Sequence, residues 1–173
     1  MIKKGLGYTL LIFMLLAAKS CGVYSFSGAS IPPEAKTISI QFFPNRAPLV
    51  VPTLSQEFTD ALKDIFSQRT QLVLVEQNGD LQLEGEITQY SITPVSVSSG
   101  NSSSGQVGQL NRINIGINVR FTNKYDPSSD FESTFSQYVD VKNDVDLSNP
   151  TNQIQEINER LVEDIFNKSV VNW

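Results

Sequence analysis

Between Arg112 and Phe121 the chain alternates without a break. Ile113, Ile115, Ile117, Val119 and Phe121 take one parity, and Arg112, Asn114, Gly116, Asn118 and Arg120 take the other. Successive side chains of a strand leave the backbone on opposite faces, so this stretch has one dry face and one wet face. It demands a sheet with one side packed and the other turned to something polar. The rest of the chain has to supply the packing.

Much of it is patterned to do so. Lys36 to Phe43 also alternates, with Ile38, Ile40 and Phe42 on one face and Thr37, Ser39 and Gln41 on the other, a half-buried strand. Pro44, Pro48 and Pro52 bracket a loop that leaves the sheet. Thr53 starts a helix, with Gln56 three residues on completing a capping-box pattern. Leu54, Phe58, Ala61, Leu62, Ile65 and Phe66 make its single apolar stripe, opposite Glu57, Asp60, Lys63 and Asp64. Phe58 and Phe66 read as core packing before they read as an aromatic ligand pair.

Leu72 to Val75 is a short apolar run, and Asn78-Gly79-Asp80 after it is a turn carrying the Asn-Gly hairpin signal. Leu81, Leu83, Gly85 and Ile87 continue a period of two, but Tyr90 and Ile92 lie on the other register. A bulge between them accounts for the switch, and Gly85 marks a close backbone approach or such a bulge. Ser98 to Gln109, SSGNSSSGQVGQ, is too polar to bury area and reads as a hairpin loop. Asp126-Pro127-Ser128-Ser129-Asp130 makes the next turn, and Phe131, Phe135, Val139 and Val141 carry another strand. After a loop from Asn143, with Asn149 as a cap and Pro150 at the first helical position, Ile154, Ile157, Leu161, Ile165 and Phe166 stripe a closing helix.

The order is strand, helix, four strands, helix. The first strand–helix–strand passage is long enough for a parallel crossover, and the later strands are expected to form antiparallel hairpins. The fold class is therefore an α+β two-layer sandwich. Two amphipathic helices pack on one face of a mixed, mostly antiparallel sheet.

The first twenty residues are of another kind. Lys3 and Lys4 precede an uncharged apolar run from Leu6 to Ala18, the layout of a secretory signal. Those thirteen residues reach only about 20 Å as a helix, short of a hydrocarbon core of roughly 30 Å. Cys21, the only cysteine of the chain, follows Ala17-Ala18-Lys19-Ser20. This is a loose lipobox, with Lys19 and Ala18 at positions where other residues are commoner. Cleavage before Cys21 leaves a thiol for diacylglycerol and an amine for a further chain such as palmitate, and several acyl chains hold where one does not. The expected organisation is a signal peptide at 1–20, a lipidated N-terminus and tether at 21–33, and a single domain at 34–173. Removing the signal takes Lys3, Lys4 and Lys19 of the thirteen basic residues and none of the eighteen acidic, leaving 153 residues with a net charge of −8. That balance argues against a nucleic-acid partner. About 150 residues suffice for one core without disulfides or metals.

No catalytic constellation stands out. The chain has no histidine, which removes histidine-based triads and zinc sites, and its one cysteine is spent on lipid. No cofactor or metal is expected. Glu84 and Glu86 share a strand face without a placed partner acid, and Asp140, Asp144 and Asp146 lack the spacing and glycine of a calcium loop. The glycines of the serine-rich loop lack a phosphate-loop pattern. The basic residues say more. Arg112 and Arg120 project from the polar face of one strand, spread over about 27 Å, and Lys124 follows in the turn. The three are candidates for contact with an anionic lipid or a protein wall.

Several stretches carry a resemblance. They are FSGASIPPEAKTISIQFFPNRAPLVVPTLSQEFTDALKDIF at 26–66, TQLVLV at 70–75, NGDLQLEGEITQYSITPV at 78–95 and NRINIGINVRFTN at 111–123. They closely resemble the LptE family of lipopolysaccharide-assembly lipoproteins in its Bacteroidetes-type form, from about Gly22 through Tyr138. Ser27-Gly28-Ala29-Ser30-Ile31-Pro32, Pro52-Thr53-Leu54-Ser55 and the Gly85-Glu86-Ile87…Tyr90 strand stand in the family's order. The resemblance implies a non-enzymatic outer-membrane lipoprotein, anchored by Cys21 on the periplasmic side. It would plug and help assemble the LptD β-barrel and assist lipopolysaccharide delivery to the surface. Gly22, Val23 and Tyr24 carry no acidic run of the kind that sends lipoproteins outward in such bacteria, which fits a periplasm-facing protein. The alternative is a free periplasmic carrier of lipid or glycan, which requires a concave apolar cavity.

Overall fold

The computed structural model describes residues 31–49, 51–97, 108–142 and 150–170. The expected signal peptide, Cys21, most of the expected tether, most of the serine-rich loop, Asp144, Asp146 and Asn149 lie outside them. Five strands and two helices follow in the expected order: β1 (Thr37–Ile40), α1 (Leu54–Arg69), β2 (Val73–Val75), β3 (Leu81–Val97), β4 (Gly108–Asn123), β5 (Phe131–Lys142) and α2 (Thr151–Val170). The strands form one sheet in the order β2-β1-β3-β4-β5. β1 is parallel to both its neighbours, while β3–β4 and β4–β5 are antiparallel. Both helices pack on one face, giving the two-layer sandwich that the patterning predicts.

The core lies between the layers. Leu54, Phe58, Leu62 and Phe66 of α1 and Ile154, Ile157, Leu161, Ile165 and Phe166 of α2 are buried. They meet Ile38 and Ile40 of β1, Leu83 and Ile87 of β3, and the dry parity of β4 from Ile113 to Phe121. Edge-on ring pairs tie the layers and the helices: Phe43 with Phe58 at 5.2 Å, and Phe66 with Phe166 at 5.1 Å. The bulge falls where the parity switches, the register shifting between Ile87 and Gln89. Gly85 is the close approach: a Cβ there would stand 2.1 Å from the Asn118 carbonyl oxygen and 2.7 Å from the Phe43 ring.

Three local expectations are corrected. The Asn78-Gly79 turn does not close a hairpin, because β2 and β3 pair with β1 from opposite sides. Asn78 takes the left-handed conformation, φ 55°. The connection then passes so close to β1 that a Cβ on Gly79 would lie 2.4 Å from the Ser39 nitrogen. The first strand ends early, at Ile40, and its parity inverts beyond: Phe42 is 54 % exposed while Phe43 is fully buried. The Phe43 N–H is turned to the Thr59 hydroxyl on α1, which draws the ring inward to Phe58. Finally, the capping box does not form. Thr53 makes no side-chain cap, and the Gln56 amide donates to Asp60 instead.

Candidate functional site

The wet parity of β4 becomes the central column of an open sheet face. Register sets its rows: Glu84, Arg120 and Glu132 in one, Glu86, Asn118 and Thr134 in the next, then Gln89, Gly116 and Ser136, then Ser91, Asn114 and Tyr138, then Thr93, Arg112 and Asp140. Amides and hydroxyls fill most of the middle, Glu86 is the one charge in its three rows, and an arginine stands near each end. Ser136 donates its hydroxyl proton to the Asn114 side-chain oxygen at 2.9 Å. Gly116 keeps the centre low, because Gln89 folds over it within 3.1 Å of where a Cβ would be.

Both arginines arrive already paired. Arg112 donates to both carboxylate oxygens of Asp140, at 2.7 and 2.8 Å, and its guanidinium lies 3.8 Å above the Tyr138 ring. The hydrogen bonds from Arg112 hold the Asp140 carboxyl below the usual carboxylate range, and those to Asp140 raise the guanidinium. Arg120 bridges two carboxylates, Glu132 at 3.1 Å and Glu84 at 3.2 Å. Hydrogen bonds from Arg120 and then Asn118 lower Glu132, and those to Glu132 raise Arg120. Exposed pairs of this kind hold a face in register more than they stabilise a fold. Glu86 faces Arg46 at 4.0 Å.

Arg112 and Arg120 thus share one face but not one pocket, with three rows between them. Lys124 belongs elsewhere. Its ammonium lies 3.7 Å from Asp80, and its backbone N–H donates to the Asp80 carbonyl. Asp80, which sequence reasoning treated only as a turn residue, is the hub there. Its carboxylate accepts the N–H of Lys36 at 3.0 Å, the N–H of Thr37 at 3.1 Å and the Thr37 hydroxyl at 2.9 Å. The Lys36 N–H, then the Thr37 hydroxyl, hold its pKa at about 2. The partners of the arginines were within reach of the sequence: folding the chain about Asp126 puts residue 120 opposite 132 and 112 opposite 140.

No group of three or more possible ligands able to hold a metal occurs among the described residues. Nor does any helix there have the length and apolarity to cross a membrane. A groove of about 400 Å³ on the open face runs between Phe42, Glu86, Asn118 and Arg120. Its walls are largely polar and charged, unlike the apolar chamber a lipid carrier needs.

No curated protein matches the sequence. Among solved structures, a neuraminyllactose-binding hemagglutinin homolog from Helicobacter pylori is 12 % identical, with a TM-score of 0.50 over 84 % of this chain and 88 % of that one. A minor lipoprotein from Acinetobacter baumannii is 12 % identical over 78 % of this chain and 91 % of that one, TM-score 0.48. Rare lipoprotein B from Shewanella oneidensis is 10 % identical over 76 % and 92 %, TM-score 0.47. At such identity the Helicobacter likeness speaks to the fold alone. The decisive match is a family model described as LptE, lipopolysaccharide-assembly, which covers residues 35–169. A non-catalytic role goes with that assignment. The chain, whose two helices lie on a sheet with an open polar face, belongs to the LptE family of lipopolysaccharide-assembly proteins.

Proposed function

We propose that this chain is a Bacteroidetes-type envelope lipoprotein that plugs an LptD-like outer-membrane β-barrel and helps it assemble for lipopolysaccharide transport to the surface. Residues 1–20 are removed as a signal, Cys21 is acylated, residues 21–33 tether the protein on the periplasmic side, and 34–173 form the plug. Membership of the family supports the pathway. The observation that carries the plug is the open face, whose arginines are already neutralised by neighbouring carboxylates in the plane of the sheet.

A barrel lumen is polar, and a plug that fills it displaces the water between its own face and the wall. A lone charge carried into it loses hydration without return, whereas a paired, hydrogen-bonded charge loses far less. The amide and hydroxyl rows between the arginines offer donors and acceptors to a polar wall. Arg112, Arg120 and Lys124 remain the proposed contacts with anionic lipid or with the barrel. Each meets an incoming phosphate while holding Asp140, Glu132 with Glu84, or Asp80, so the phosphate must compete with a carboxylate.

Purification of the tagged lipoprotein in mild detergent tests this. A large β-barrel is expected to come with it, and depletion of the protein is expected to lower surface lipopolysaccharide. Normal barrel folding and normal surface glycolipid in depleted cells would overturn the proposal.

A further inference from the structure

Strand β2 has a free edge. It pairs with β1 on one side and is the last strand of the sheet on the other. The Val73 N–H goes to the Lys36 carbonyl, so by alternation the N–H and C=O of Leu74 point out from the edge. Val73 is 62 % exposed and Leu74 36 %. A strand edge of this kind invites uncontrolled pairing, and proteins blunt it by keeping the strand short or with a charge, a proline, a bulge or a cover. Val73-Leu74-Val75 is short, three residues, but contains neither charge nor proline, and its register with β1 runs without a shift. Shortness limits the open backbone and does nothing for the exposed Val73 and Leu74 side chains, which a cover would bury.

The chain itself passes beside this edge. Ile31 and Pro32 line a groove of about 550 Å³ together with Thr70, Gln71 and Leu72, the residues that lead into β2. The segment that precedes Ile31 therefore arrives next to the start of the bare strand. Its sequence is Val23-Tyr24-Ser25-Phe26-Ser27, then Gly28-Ala29-Ser30. Aromatic residues alternate with serines over 24–27, the pattern of a strand with one apolar face, and three small residues follow for a turn.

We infer that residues 23–27 add to the free edge of β2 as a sixth strand, antiparallel to it, and cover Val73 and Leu74. The direction follows from position: the segment has to finish beside the beginning of β2, where Ile31 lies. Residues 27 to 31 span up to about 14 Å, ample for a step between strands about 4.8 Å apart. A second copy or a partner's strand would compete for the same edge, but a segment joined to it through so short a link acts at an effective concentration in the millimolar range. If the lipid is on Cys21, docking also shortens the leash. Cys21 to Ile31 spans up to about 35 Å when extended, whereas a docked strand leaves only Gly22 between the acyl chains and the domain.

Cys21 is the only cysteine, so the full chain carrying Cys21→Ser accepts cysteine pairs without background. Phe26→Cys is combined in turn with Val73→Cys, Leu74→Cys and Val75→Cys, and Gln82→Cys with Thr122→Cys, opposite each other in β3 and β4, serves as the control. A disulfide needs Cα atoms within about 7 Å. An intramolecular bridge from residue 26 to one of 73–75 is expected under mild oxidation. Slow exchange of the Leu74 amide, lost in Phe26→Pro, is expected in the chain without added cysteines. The inference is overturned if the control bridge forms and residue 26 bridges none of the three, or if Phe26→Pro leaves Leu74 exchange unchanged. A dimer linked through Leu74→Cys alone also overturns it, because a second copy then holds the edge.

Discussion

Asp80 fastens the start of β1 to the start of β3 with one carboxylate oxygen that takes three donors. Its folded pKa of about 2 lies below the ordinary 3.8, so its contribution is complete above about pH 4 and fades as pH falls toward 2. Asp80→Asn is expected to lower the urea midpoint at neutral pH, and the gap from the parent protein should close between pH 4 and 2. A pH-independent gap would mean that the charge is irrelevant. Glycines separate just as sharply. Gly85→Ala pushes a methyl group into a neighbouring strand's carbonyl at 2.1 Å, which backbone cannot yield, and should cost about 1–3 kcal/mol or more in chemical denaturation. Gly116→Ala meets the Gln89 Cβ at 3.1 Å and its amide oxygen at 3.3 Å, contacts that need to give by only a few tenths of an ångström, and should cost much less. Gly85 was legible as a tight place because it interrupts an alternating strand. Asp80 was not, since its three donors come from residues more than forty positions earlier.

Elements follow their periods where one face is buried and depart from them where the chain turns off. The α1 stripe is such a period. Phe58→Ala removes a fully buried ring packed on Phe43 and is expected to cost about 3–5 kcal/mol, read from the denaturant midpoint at unchanged slope. The bulge at Ile87/Gln89 was visible as a parity switch, since a sheet face shared by both halves of β3 leaves no other solution. Phe42 and Phe43 were misread because the strand pattern continues through them while the hydrogen bonding to β3 skips from Gln41 to Pro44. The Thr59 hydroxyl, sixteen residues on, decides which ring turns in. Asn78-Gly79 likewise encodes a reversal but not a partner. β1 already occupied the space between β2 and β3, and no local signal reports that. The cross-strand carboxylates of Arg112 and Arg120 stood between these cases, readable once the Asp126 turn fixed the register.

For the whole molecule, the proposed anchor and plug make separable demands. Cys21→Ala is expected to move the protein from the membrane fraction to the soluble periplasmic fraction, as judged by fractionation, provided the barrel is absent. Retention on outer-membrane lipid without the barrel would refute the anchor. Ser136→Trp, at an exposed position in the middle of the open face, should leave the melting temperature nearly unchanged. It should lower recovery of the barrel by roughly tenfold, the equivalent of about 1.4 kcal/mol, if that face meets the lumen wall. Unchanged recovery would place the wall against another surface. The architecture was readable because both helices and four of the strands carry long periodic patterns. The function was not readable from chemistry, since a polar plane of amides and hydroxyls has no motif.

The placing of β1 between two parallel partners also has a mechanical side. A pull from the N-terminal direction, once it has peeled away any strand added at the β2 edge, reaches β1 at Lys36 and Thr37, where Asp80 grips the backbone. From there the load runs along β1, so both flanking ladders are sheared together and no single pair can be unzipped ahead of the rest. If Cys21 carries the proposed anchor, a domain hung by that end is thereby built to resist the tug of its own leash.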